Sequence, residues 1–398
     1  MRPVVITSAV RTAIGNMGGS LKDVLPEEMA KVVIEAAIAK SEIKKDLIQE
    51  VILGQAKQST DAPNIARVAL LKAGISEKIP AYTVHRQCGS GMQAILSAVF
   101  QIQAGYSDII VAGGVESMST APYYIRKARY GYSAGNGELL DPNTESQPKS
   151  QPEELYGRFN MGITAENVAE KYNITREEQD QFAYESQMKT VRAIDQGVFV
   201  DEIVPISIRQ GRENVLFKVD EYPRRDTSMA KLARLRPVFK GDGTVTAGNS
   251  SGRNDGAAAV VVMAEETARA LKIKPLVRFI SAGITGVDPR IMGIGPVSSS
   301  QQALNRCELS ISKIGLVELN EAFAAQSIAV INLLGLDKNI VNVNGGAISL
   351  GHPLGCTGTR ITTTLIHEMI RRKEKYGMAA LCVAGGLGVT IIYQNTTI

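Results

Sequence analysis

The feature of this sequence that most limits its fold is an internal duplication. The segment Ile109–Gly114, Ile-Ile-Val-Ala-Gly-Gly, recurs as Leu381–Gly386, Leu-Cys-Val-Ala-Gly-Gly. Two further pairs match in the same order and at a similar offset: Pro3–Ile6 with Pro275–Arg278, and Val51–Gly54 with Val317–Asn320. Because three ordered matches exceed what chance similarity produces, we predict two copies of one unit, over roughly residues 1–120 and 270–398.

Each half alternates short apolar segments with longer helical patterns. We predict strands, rich in β-branched residues and buried on both faces, over six segments: Val4–Ala9, Val51–Ala56, Asp108–Gly114, Ala257–Ala264, Leu316–Leu319 and Ala379–Gly386. We predict helices over four of the intervening segments: Ala30–Ala39, Met92–Gln103, Glu321–Leu334 and Arg360–Lys373. Strands buried on both faces are typical of parallel sheets, so the pattern predicts an α/β fold of βαβ units with helices covering the sheets.

A segment of different character separates the halves. Residues 121–245 contain many Tyr, Gly, Asn and charged residues, and residues 142–148 are predicted to form an exposed loop. We predict three units: residues 1–120 with 246–269, an inserted loop domain of residues 121–245, and residues 270–398. Five basic residues surround a short helical pattern in the inserted domain: Arg224, Arg225, Lys231, Arg234 and Arg236. They form either a solvated helix face or a rim for a phosphate-bearing ligand.

Composition excludes several classes of protein. The 398 residues contain 44 Lys and Arg against 40 Asp and Glu, and this evenly spread net charge of +4 does not indicate nucleic-acid binding. Four cysteines make no disulfide framework, and no Cys-x-x-Cys pair is present. The first apolar run ends at Arg11, and no stretch reaches roughly 18 apolar residues, so we predict neither a signal peptide nor a membrane span. We expect a cytoplasmic protein with reduced cysteines.

Cys88 is the first candidate for chemistry. It follows a predicted strand, Ile79–Val84, and opens Cys-Gly-Ser-Gly, after which the segment Ala94–Ile102 is apolar except for Ser97 and Gln101. So apolar a helix is predicted to be buried all round, with its N-terminus directed at Cys88. That placement lowers a thiol pKa and supplies donors for an oxyanion. The alternative is a structural buried cysteine, which would not need the Gly-Ser-Gly run.

Only three histidines are available for acid–base work near neutral pH. His367 lies inside a helical pattern and is interpreted as a satisfied structural residue. His85 precedes Cys88 by three residues, and at strand spacing the two side chains face opposite sides. His352 is the stronger candidate, because it lies in the Gly-rich segment Asn342–Gly355, where the backbone path is tightly specified.

Cys382 ends the last predicted strand, and the internal repeat places its loop in a position equivalent to loops of the first half. Two cysteines and a histidine fit no common zinc spacing, so no metal site is predicted. Gly89–Ala94 matches a loose dinucleotide pattern with Glu116 as its ribose acceptor, but it lies in the middle of a half, which argues against NAD binding. Gly248–Gly252 matches a serine-hydrolase elbow, but it precedes a strand instead of following one.

Taken together, the motifs resemble those of the thiolase family over essentially the whole chain. The motifs that carry the resemblance are Cys88–Gly91, Gly113–Ser119, Thr246–Gly252, Asn320–Ala324, Gly351–Pro353, and Cys382 with its following glycines. The resemblance implies a five-layered α/β/α/β/α fold of two related halves with an inserted loop domain. It also implies a tetramer of identical chains, no permanently bound cofactor, and coenzyme A as substrate and product.

The resemblance also implies roles for individual residues. Cys88 corresponds to the nucleophile that takes an acyl group from acyl-CoA, and His352 to its activating base. Asn320 would complete the oxyanion hole of His352 through a water. Cys382 corresponds to the second acid and base, and a second oxyanion hole would use the backbone N–H groups of Cys88 and Ala384. These roles suit thioester exchange and enolate chemistry.

Substrate-binding residues are carried over in the same way. The inserted domain would bind coenzyme A and mediate tetramer formation. Residues implied to contact the substrate or CoA are Arg224 and Ser228 near the nucleotide, Ala247 and Ser251 along the pantetheine arm, and Met161, Met292 and Phe323 at the acyl group. Five positions bear on the comparison with other members: His85, Asn160 and Ala384 depart from the usual residues, and Gln87 and Cys356 resemble longer-chain thiolases. Met161 and Met292 instead resemble bulky residues that shorten the acyl pocket.

The expected activity is therefore that of an acetyl-CoA C-acetyltransferase, converting two acetyl-CoA into acetoacetyl-CoA and CoA and back by a ping-pong mechanism. The first alternative is a 3-ketoacyl-CoA thiolase of fatty-acid β-oxidation acting on longer acyl-CoA and 3-ketoacyl-CoA. A decarboxylating ketoacyl synthase would have a second histidine in place of Cys382. A non-catalytic lipid carrier or scaffold would be expected to have lost Cys88, His352 or Cys382, and all three are present.

Overall fold

The computed structural model describes residues 1–398. The strands are β1 Val4–Thr12, β2 Gly15–Asn16, β3 Glu50–Gly54, β4 Ala81–Val84, β5 Ile109–Ser117, β6 Ile203–Val204, β7 Ile206–Gln210, β8 Glu213–Phe217, β9 Asn254–Ala264, β10 Val277–Gly286, β11 Leu316–Leu319, β12 Tyr376–Val383 and β13 Leu387–Asn395. The helices are α1 Pro26–Lys40, α2 Ile65–Lys72, α3 Ser90–Gln103, α4 Pro142–Glu145, α5 Glu153–Tyr156, α6 Met161–Lys171, α7 Arg176–Asp195, α8 Met229–Ala233, α9 Glu265–Ala270, α10 Gly295–Arg306, α11 Ala324–Leu334, α12 Ala347–Leu350 and α13 Leu354–Arg372.

The main sheet has the symmetry expected of two related halves. Its order is β11-β12-β13-β10-β1-β9-β5-β3-β4, with β2 and β6 attached at the side. The halves join through a short antiparallel pairing of β1 with β10, at Val5 opposite Arg278 and Ile6 opposite Val277. Moving outward from this junction, β9 and β13, β5 and β12, and β3 and β11 occupy equivalent places.

The parallel pairing that the buried strands suggested is present in only part of the sheet. The pairs β3 with β4, β3 with β5, and β11 with β12 are parallel, but β9 pairs antiparallel with both β1 and β5, and β13 with both β10 and β12. Every residue of β9 is buried. Because helices cover both faces of each half, burial on both faces says nothing about strand direction in this fold.

Three hydrophobic cores separate five layers. The first core joins α1 and α2 to one face of the N-terminal half of the sheet. The second lies between the two halves and is built on α3 and α13, which pack against each other and against both sheets. The third joins α10 and α11 to the outer face of the C-terminal half. The predicted α/β/α/β/α fold is thus observed, with α3 and α13 in the middle layer.

Several predicted bounds shift for identifiable reasons. Helix α11 begins at Ala324 and not at Glu321, because Phe323 is extended and forms a bridge with Ser250. Helix α13 begins at Leu354, six residues before the predicted start at Arg360. Its glycines conceal this start in the sequence, since Gly is a poor helix former, but they allow close packing on α3.

Helix α3 is buried on most of its surface, as predicted, but not all round. Gln93 and Ser97 are half-buried and Phe100 is 46% exposed, so one stripe at helical spacing reaches the surface. Residues 142–148 also differ from the prediction of an exposed loop: they form α4 and the start of a 3₁₀ turn, with Asn143 and Pro148 buried.

Candidate active site

One cavity of about 180 Å³ brings together most of the predicted site residues. Those that line it are Cys88, Met161, Ser251, Met292, Phe323, His352, Cys382 and Ala384. Cys88 arrives on the turn between β4 and α3, His352 on the turn between α12 and α13, and Cys382 at the end of β12. Both halves of the duplication therefore contribute to a single site.

The turn around Cys88 is held in an unusual backbone conformation. Gln87, directly before it, has a φ of 45°, in the left-handed region that side chains other than glycine seldom adopt. A Cβ atom at Gly91 would lie 2.7 Å from the carbonyl oxygen of Gly355, so only glycine permits this approach of α3 to the His352 loop. Such local strain is typical of functional positions, and the Gly-Ser-Gly run has the close-approach role that the sequence predicts.

The thiol of Cys88 does not have the lowered pKa predicted from its place before α3. Burial raises the pKa of Cys88, and the backbone N–H groups of Ala384 and of Cys88 itself, with the Lys57 ammonium, only partly oppose this. The helix terminus is present, since Gly89 caps α3, but removal from water is the larger effect. The resting nucleophile is therefore a neutral thiol that needs a base to remove its proton.

His352 has the orientation of such a base. Its Nδ1 atom lies 2.7 Å from the Thr357 hydroxyl, which itself donates to the carbonyl oxygen of Pro353 at 2.9 Å. Because the single hydroxyl proton is used on Pro353, Thr357 accepts from Nδ1–H, and Nε2 carries the free lone pair. Nε2 has no hydrogen-bond partner in the protein. Burial, and next the charge of Arg360, lower the pKa of His352 to about 3, so the ring is neutral at neutral pH.

The backbone of the His352 turn is fixed by a neighbouring asparagine. The backbone N–H of His352 donates to Asn254 Oδ1 at 3.0 Å, and Asn254 Nδ2 donates to Gly15 at 3.0 Å. Gly351 has a φ of 99°, and a Cβ atom there would lie 2.3 Å from the Asn254 amide carbon. Both conformation and space therefore require glycine immediately before His352.

We expect Thr357→Val, which keeps the side-chain shape, to lower kcat/KM for thiolysis about 10- to 100-fold, while Thr357→Ser restores it. The valine leaves Nδ1–H buried without an acceptor, a cost of about 1–3 kcal/mol, and favours the tautomer with the proton on Nε2. Steady-state kinetics on the three proteins, with thermal unfolding to establish folding, measure this effect. A valine variant with wild-type kcat/KM would contradict the assigned tautomer.

Cys382 is 1% exposed and lies in an apolar cluster with Met292, Phe323 and Ala165. Burial raises its pKa well above the usual thiol range, and the nearby Cys88 raises it further. Cys356, at the start of α13, is fully buried, and burial raises its pKa to about 12. Cys382 lines the cavity and Cys356 does not, which separates the candidate acid–base thiol from a structural one.

One of the two predicted oxyanion positions has an unpaired side-chain donor. Asn320 is fully buried, and neither atom of its side-chain amide has a hydrogen-bond partner in the protein. Asn320 does not line the cavity itself, in keeping with the predicted contact through water. Ala384 is not in the left-handed region, so a residue with a side chain is accommodated there, and Gly385 and Gly386 take the positive φ values of 89° and 83°.

A separate cavity of about 240 Å³ is lined by Arg224, predicted to lie near the nucleotide, by Ala247, predicted to lie along the pantetheine arm, and by Lys231. Two basic residues of the predicted rim form ion pairs: Arg225 with Asp195 at 2.7 Å, and Lys231 with Asp226 at 2.5 Å. Ser228 does not line this cavity, and its hydroxyl caps α8 by accepting from the Lys231 backbone at 3.3 Å.

The departures from the usual family residues have local explanations. His85 is exposed just beyond the end of β4, so its separation from Cys88 comes from the end of the strand and not from strand alternation. Asn160 caps α6 by accepting from the Ile163 backbone at 3.1 Å.

His367 has a hydrogen-bond partner within the protein, as predicted: its Nε2 atom lies 3.0 Å from the carbonyl oxygen of Ala9.

Residues of the two rejected motifs, the dinucleotide pattern and the serine-hydrolase elbow, form hydrogen bonds within the protein. Glu116, the nominal ribose acceptor, accepts from the backbone N–H groups of Ala56, Lys57 and Gly355 at 3.0, 3.0 and 2.9 Å. Ser250 donates to the carbonyl oxygen of Thr246 at 2.7 Å.

The side chains form no group of three or more His, Cys, Asp or Glu residues that could hold a metal ion. No helix combines the length and apolar character needed to cross a bilayer.

Sequence reasoning missed several residues that line the cavity: Lys57, Met118, Asn143, Ser146, Gln147, Ser150, Phe239 and Arg253. It also missed Thr357, whose only sequence signal is its place one turn into the helix that follows His352. Three of the missed residues, Asn143, Ser146 and Gln147, lie in the segment 142–148 that was predicted to be exposed, and Ser150 follows it. Their polar composition resembles that of a surface loop, and only the folding of this segment over the nucleophile reveals them.

Comparison with known proteins agrees with this geometry. The thiolase N-terminal domain matches residues 4–266, and the thiolase C-terminal domain matches residues 273–395. The acetyl-CoA acetyltransferase of Cupriavidus necator is 46% identical over 396 residues, which cover 99% of this chain and 100% of that protein. The crystal structure of the Bacillus anthracis acetyl-CoA acetyltransferase superposes with a TM-score of 0.96 at 48% identity, covering 99% of both chains.

Human mitochondrial 3-ketoacyl-CoA thiolase superposes nearly as well, with a TM-score of 0.95 at 41% identity, covering 100% of this chain and 99% of that one. The family matches span nearly the whole sequence, and the two solved structures share its fold along their full length. The chain belongs to the thiolase family.

Proposed function

We propose that the protein is an acetyl-CoA C-acetyltransferase, a thiolase that interconverts two acetyl-CoA with acetoacetyl-CoA and CoA. The observation that carries this proposal is the single cavity lined by Cys88, His352 and Cys382. A nucleophile, a correctly oriented base and a second thiol are the groups that thioester exchange and carbon–carbon bond cleavage require.

The first half-reaction uses Cys88 and His352. In thiolysis, His352 Nε2 takes the thiol proton as Cys88 Sγ attacks the 3-keto carbon of acetoacetyl-CoA. The bond between C2 and C3 then breaks, leaving an acetyl group on Cys88 and the enolate of acetyl-CoA. Burial raises the pKa of Cys88 and lowers that of His352, so both groups are neutral before the substrate is attacked.

Cys382 acts on the carbon that becomes the enolate. Its thiol protonates C2 and so releases acetyl-CoA, and in condensation its thiolate removes the same proton. Burial, which raises the pKa of Cys382, favours the protonated form needed to deliver a proton in thiolysis. Free CoA then gives its thiol proton to Cys382 and attacks the acyl-enzyme; the Cys88 thiolate leaves, recovers its proton from the His352 ring, and the second acetyl-CoA is released.

Two donor sets stabilise the negative oxygens formed in these steps. The His352 ring and, through a water, the unpaired amide of Asn320 hold one of them. The backbone N–H groups of Cys88 and Ala384 hold the other, and their closeness to Cys88 Sγ is supported by their effect on its pKa.

Coenzyme A is bound mainly by residues 121–245 and the loop that follows. Arg224, Ser228 and Ala247 lie at or beside the second cavity, and Ser251 lies in the first, which traces a route from the nucleotide end to Cys88. We assign residues 121–245 as an inserted domain of the N-terminal half, 1–120 with 246–269, because β5 and β9 pair on either side of it. Residues 270–398 form the C-terminal half.

We further propose a homotetramer that works in the cytoplasm in fatty-acid metabolism. Support for the oligomer comes from large exposed apolar side chains near the start of the inserted domain: Tyr123, Ile125, Tyr130, Tyr132 and Leu139. An exposed cluster of this kind is typical of a contact surface. All four cysteines are unpaired, which suits a reducing compartment.

The acyl pocket favours short chains in this proposal. Met161, Met292, Phe239 and Phe323 form an apolar wall, with the two phenylalanine rings edge to face at 6.2 Å. We expect CoA-dependent thiolysis of acetoacetyl-CoA to exceed that of a medium-chain 3-ketoacyl-CoA. The double variant Met161→Ala, Met292→Ala should shift the ratio of the two kcat/KM values toward the longer substrate about 10-fold, because a few methylenes of space are worth about 1–3 kcal/mol.

The outcomes separate the alternatives. Faster cleavage of the longer substrate by the wild-type enzyme would make the protein a 3-ketoacyl-CoA thiolase of β-oxidation, in agreement with Gln87 and Cys356. An unchanged ratio in the double variant would contradict the pocket-shortening role of the two methionines. Cleavage of neither substrate, with no acyl-enzyme formed from acetyl-CoA, would favour a non-catalytic carrier or scaffold.

A further inference from the structure

A lysine that the proposed mechanism does not use lines the same cavity as the nucleophile. Lys57 follows β3 by three residues and is only 7% exposed. It forms no salt bridge with any carboxylate of the chain. Burial lowers the pKa of Lys57, and the charge of Glu116 opposes this shift most strongly. The Glu116 carboxylate, however, is bound to three backbone N–H groups, so it does not pair with the ammonium directly.

Lys57 and Ser146 each have one hydrogen-bond donor without an acceptor in the protein. The Lys57 ammonium has three N–H groups, and it donates to the Pro142 carbonyl oxygen at 3.1 Å and to the Ser146 hydroxyl oxygen, which leaves one free. Because the Ser146 oxygen accepts from Lys57, its own proton is also free, and it donates to no protein group. A charged donor and a neutral donor therefore lie side by side at the cavity wall.

This pair belongs to a continuous polar wall. Gln147 donates to the Asn143 carbonyl oxygen at 3.1 Å, Ser150 to that of Ser146 at 2.9 Å, and Gln87 to the Ser150 hydroxyl at 3.4 Å. Asn143 is 5% exposed, and its Oδ1 atom has no hydrogen-bond partner. A cavity that received only aliphatic acyl chains would bury these groups against hydrocarbon, which is unfavourable.

We propose that Lys57 and Ser146 form a subsite for a carboxylate at the far end of the acyl chain of a 3-ketoacyl-CoA. The inference rests on the proposed thiolase function and extends its substrates to 3-ketoacyl-CoA whose acyl chain ends in a carboxylate at the end opposite the thioester. The two carboxylate oxygens accept one hydrogen bond from each donor, and the negative charge neutralises the buried ammonium. Charge-assisted hydrogen bonds of this kind are about twice as strong as neutral ones and impose orientation.

The test compares matched substrates on the full-length enzyme. Thiolysis is measured with 3-ketoacyl-CoA of six and eight acyl carbons ending either in a carboxylate or in a methyl group. The variants are Lys57→Met, which keeps length without charge, Ser146→Ala, and Lys149→Met. Lys149 is an exposed lysine of the same segment that pairs with Glu153 and does not line the cavity, so it serves as the matched control.

We expect the wild-type enzyme to cleave at least one carboxylate-ended substrate with a kcat/KM equal to or above that of its methyl-ended partner. In Lys57→Met this ratio of kcat/KM values should fall at least 10-fold, in Ser146→Ala by a smaller factor, and in Lys149→Met not at all. Because the ratio is taken on one protein, a general loss of folding or of nucleophile reactivity cancels.

An unchanged ratio in Lys57→Met, with equal loss on both substrates, overturns the inference and indicates that Lys57 acts on the Cys88 thiol instead. Failure of the wild-type enzyme to cleave either carboxylate-ended substrate, while it cleaves the methyl-ended ones, also overturns it and leaves the proposed function intact. Failure to cleave acetoacetyl-CoA or any longer 3-ketoacyl-CoA overturns the proposed function, and this inference with it.

Discussion

We expect Cys88→Ala to form no acyl-enzyme and to lose thiolysis by on the order of 10⁴-fold or more, because the variant has no atom to accept the acyl group. The alanine fits the turn, since Cys88 does not have a positive φ. Mass spectrometry after incubation with acetyl-CoA measures the covalent step directly: the wild-type protein should gain one acetyl group and the variant none.

Cys307→Ala is the matched control for this experiment. Cys307 is also half-buried, but it lies after α10, outside the cavity, and its Sγ atom contacts the Ala303 carbonyl oxygen at 3.3 Å. The Cys307→Ala protein should be acetylated and active like the wild type. Acetylation of the Cys88→Ala protein to the wild-type level would mean that another residue is the nucleophile.

We expect Cys382→Ser to separate the two halves of the reaction. Acylation of Cys88 by acetyl-CoA needs no proton transfer at carbon, and the CoA thiolate is a good leaving group even without the Cys382 proton, so the variant should still be acetylated. Turnover should fall about 10²- to 10⁴-fold, because a buried hydroxyl is a far weaker proton donor and acceptor for the enolate carbon than a thiol. Exchange of the acetyl-CoA methyl protons with deuterated water gives a direct readout of this step, and it should be lost.

Cys356→Ser provides the control, since Cys356 is a buried cysteine close in sequence to His352 that does not line the cavity. Both acetylation and proton exchange should persist in that protein. If Cys382→Ser lost acetylation and exchange to the same degree while remaining folded by thermal unfolding, Cys382 would not be a specific acid and base for the carbon.

The elements of the fold that the sequence predicted well are those defined by local pattern. Strand β11, Leu316–Leu319, was predicted with both ends correct, and α3 with its C-terminal end, because local apolar patterns define them without reference to distant residues. The duplication further predicted that loops of the two related halves would approach one site. Strand direction was not predicted, because β9 and β13 are as apolar as parallel strands between helical layers.

The residues of the candidate site also fall into those that local sequence patterns predicted and those that only the structure reveals. Cys88 and His352 were identifiable because the features that mark them are close in the sequence: glycines, a helix start and a constrained turn. Lys57 and Ser146 were not, because they are 89 residues apart and meet only through a hydrogen bond across the cavity. The pKa of Cys88 was also predicted in the wrong direction, since the sequence shows the helix terminus but not how completely the site is removed from water.

By itself, then, the sequence determined the two related halves, the three candidate residues that line the cavity and the glycines around them, since backbone conformation and apolar periodicity are local properties. The tertiary structure alone decided which thiol faces the cavity and which is structural, which tautomer His352 adopts beside Thr357, and which polar wall faces the nucleophile. These depend on burial and on contacts between segments far apart in the chain, and such contacts exist only once the two halves have packed around α3 and α13.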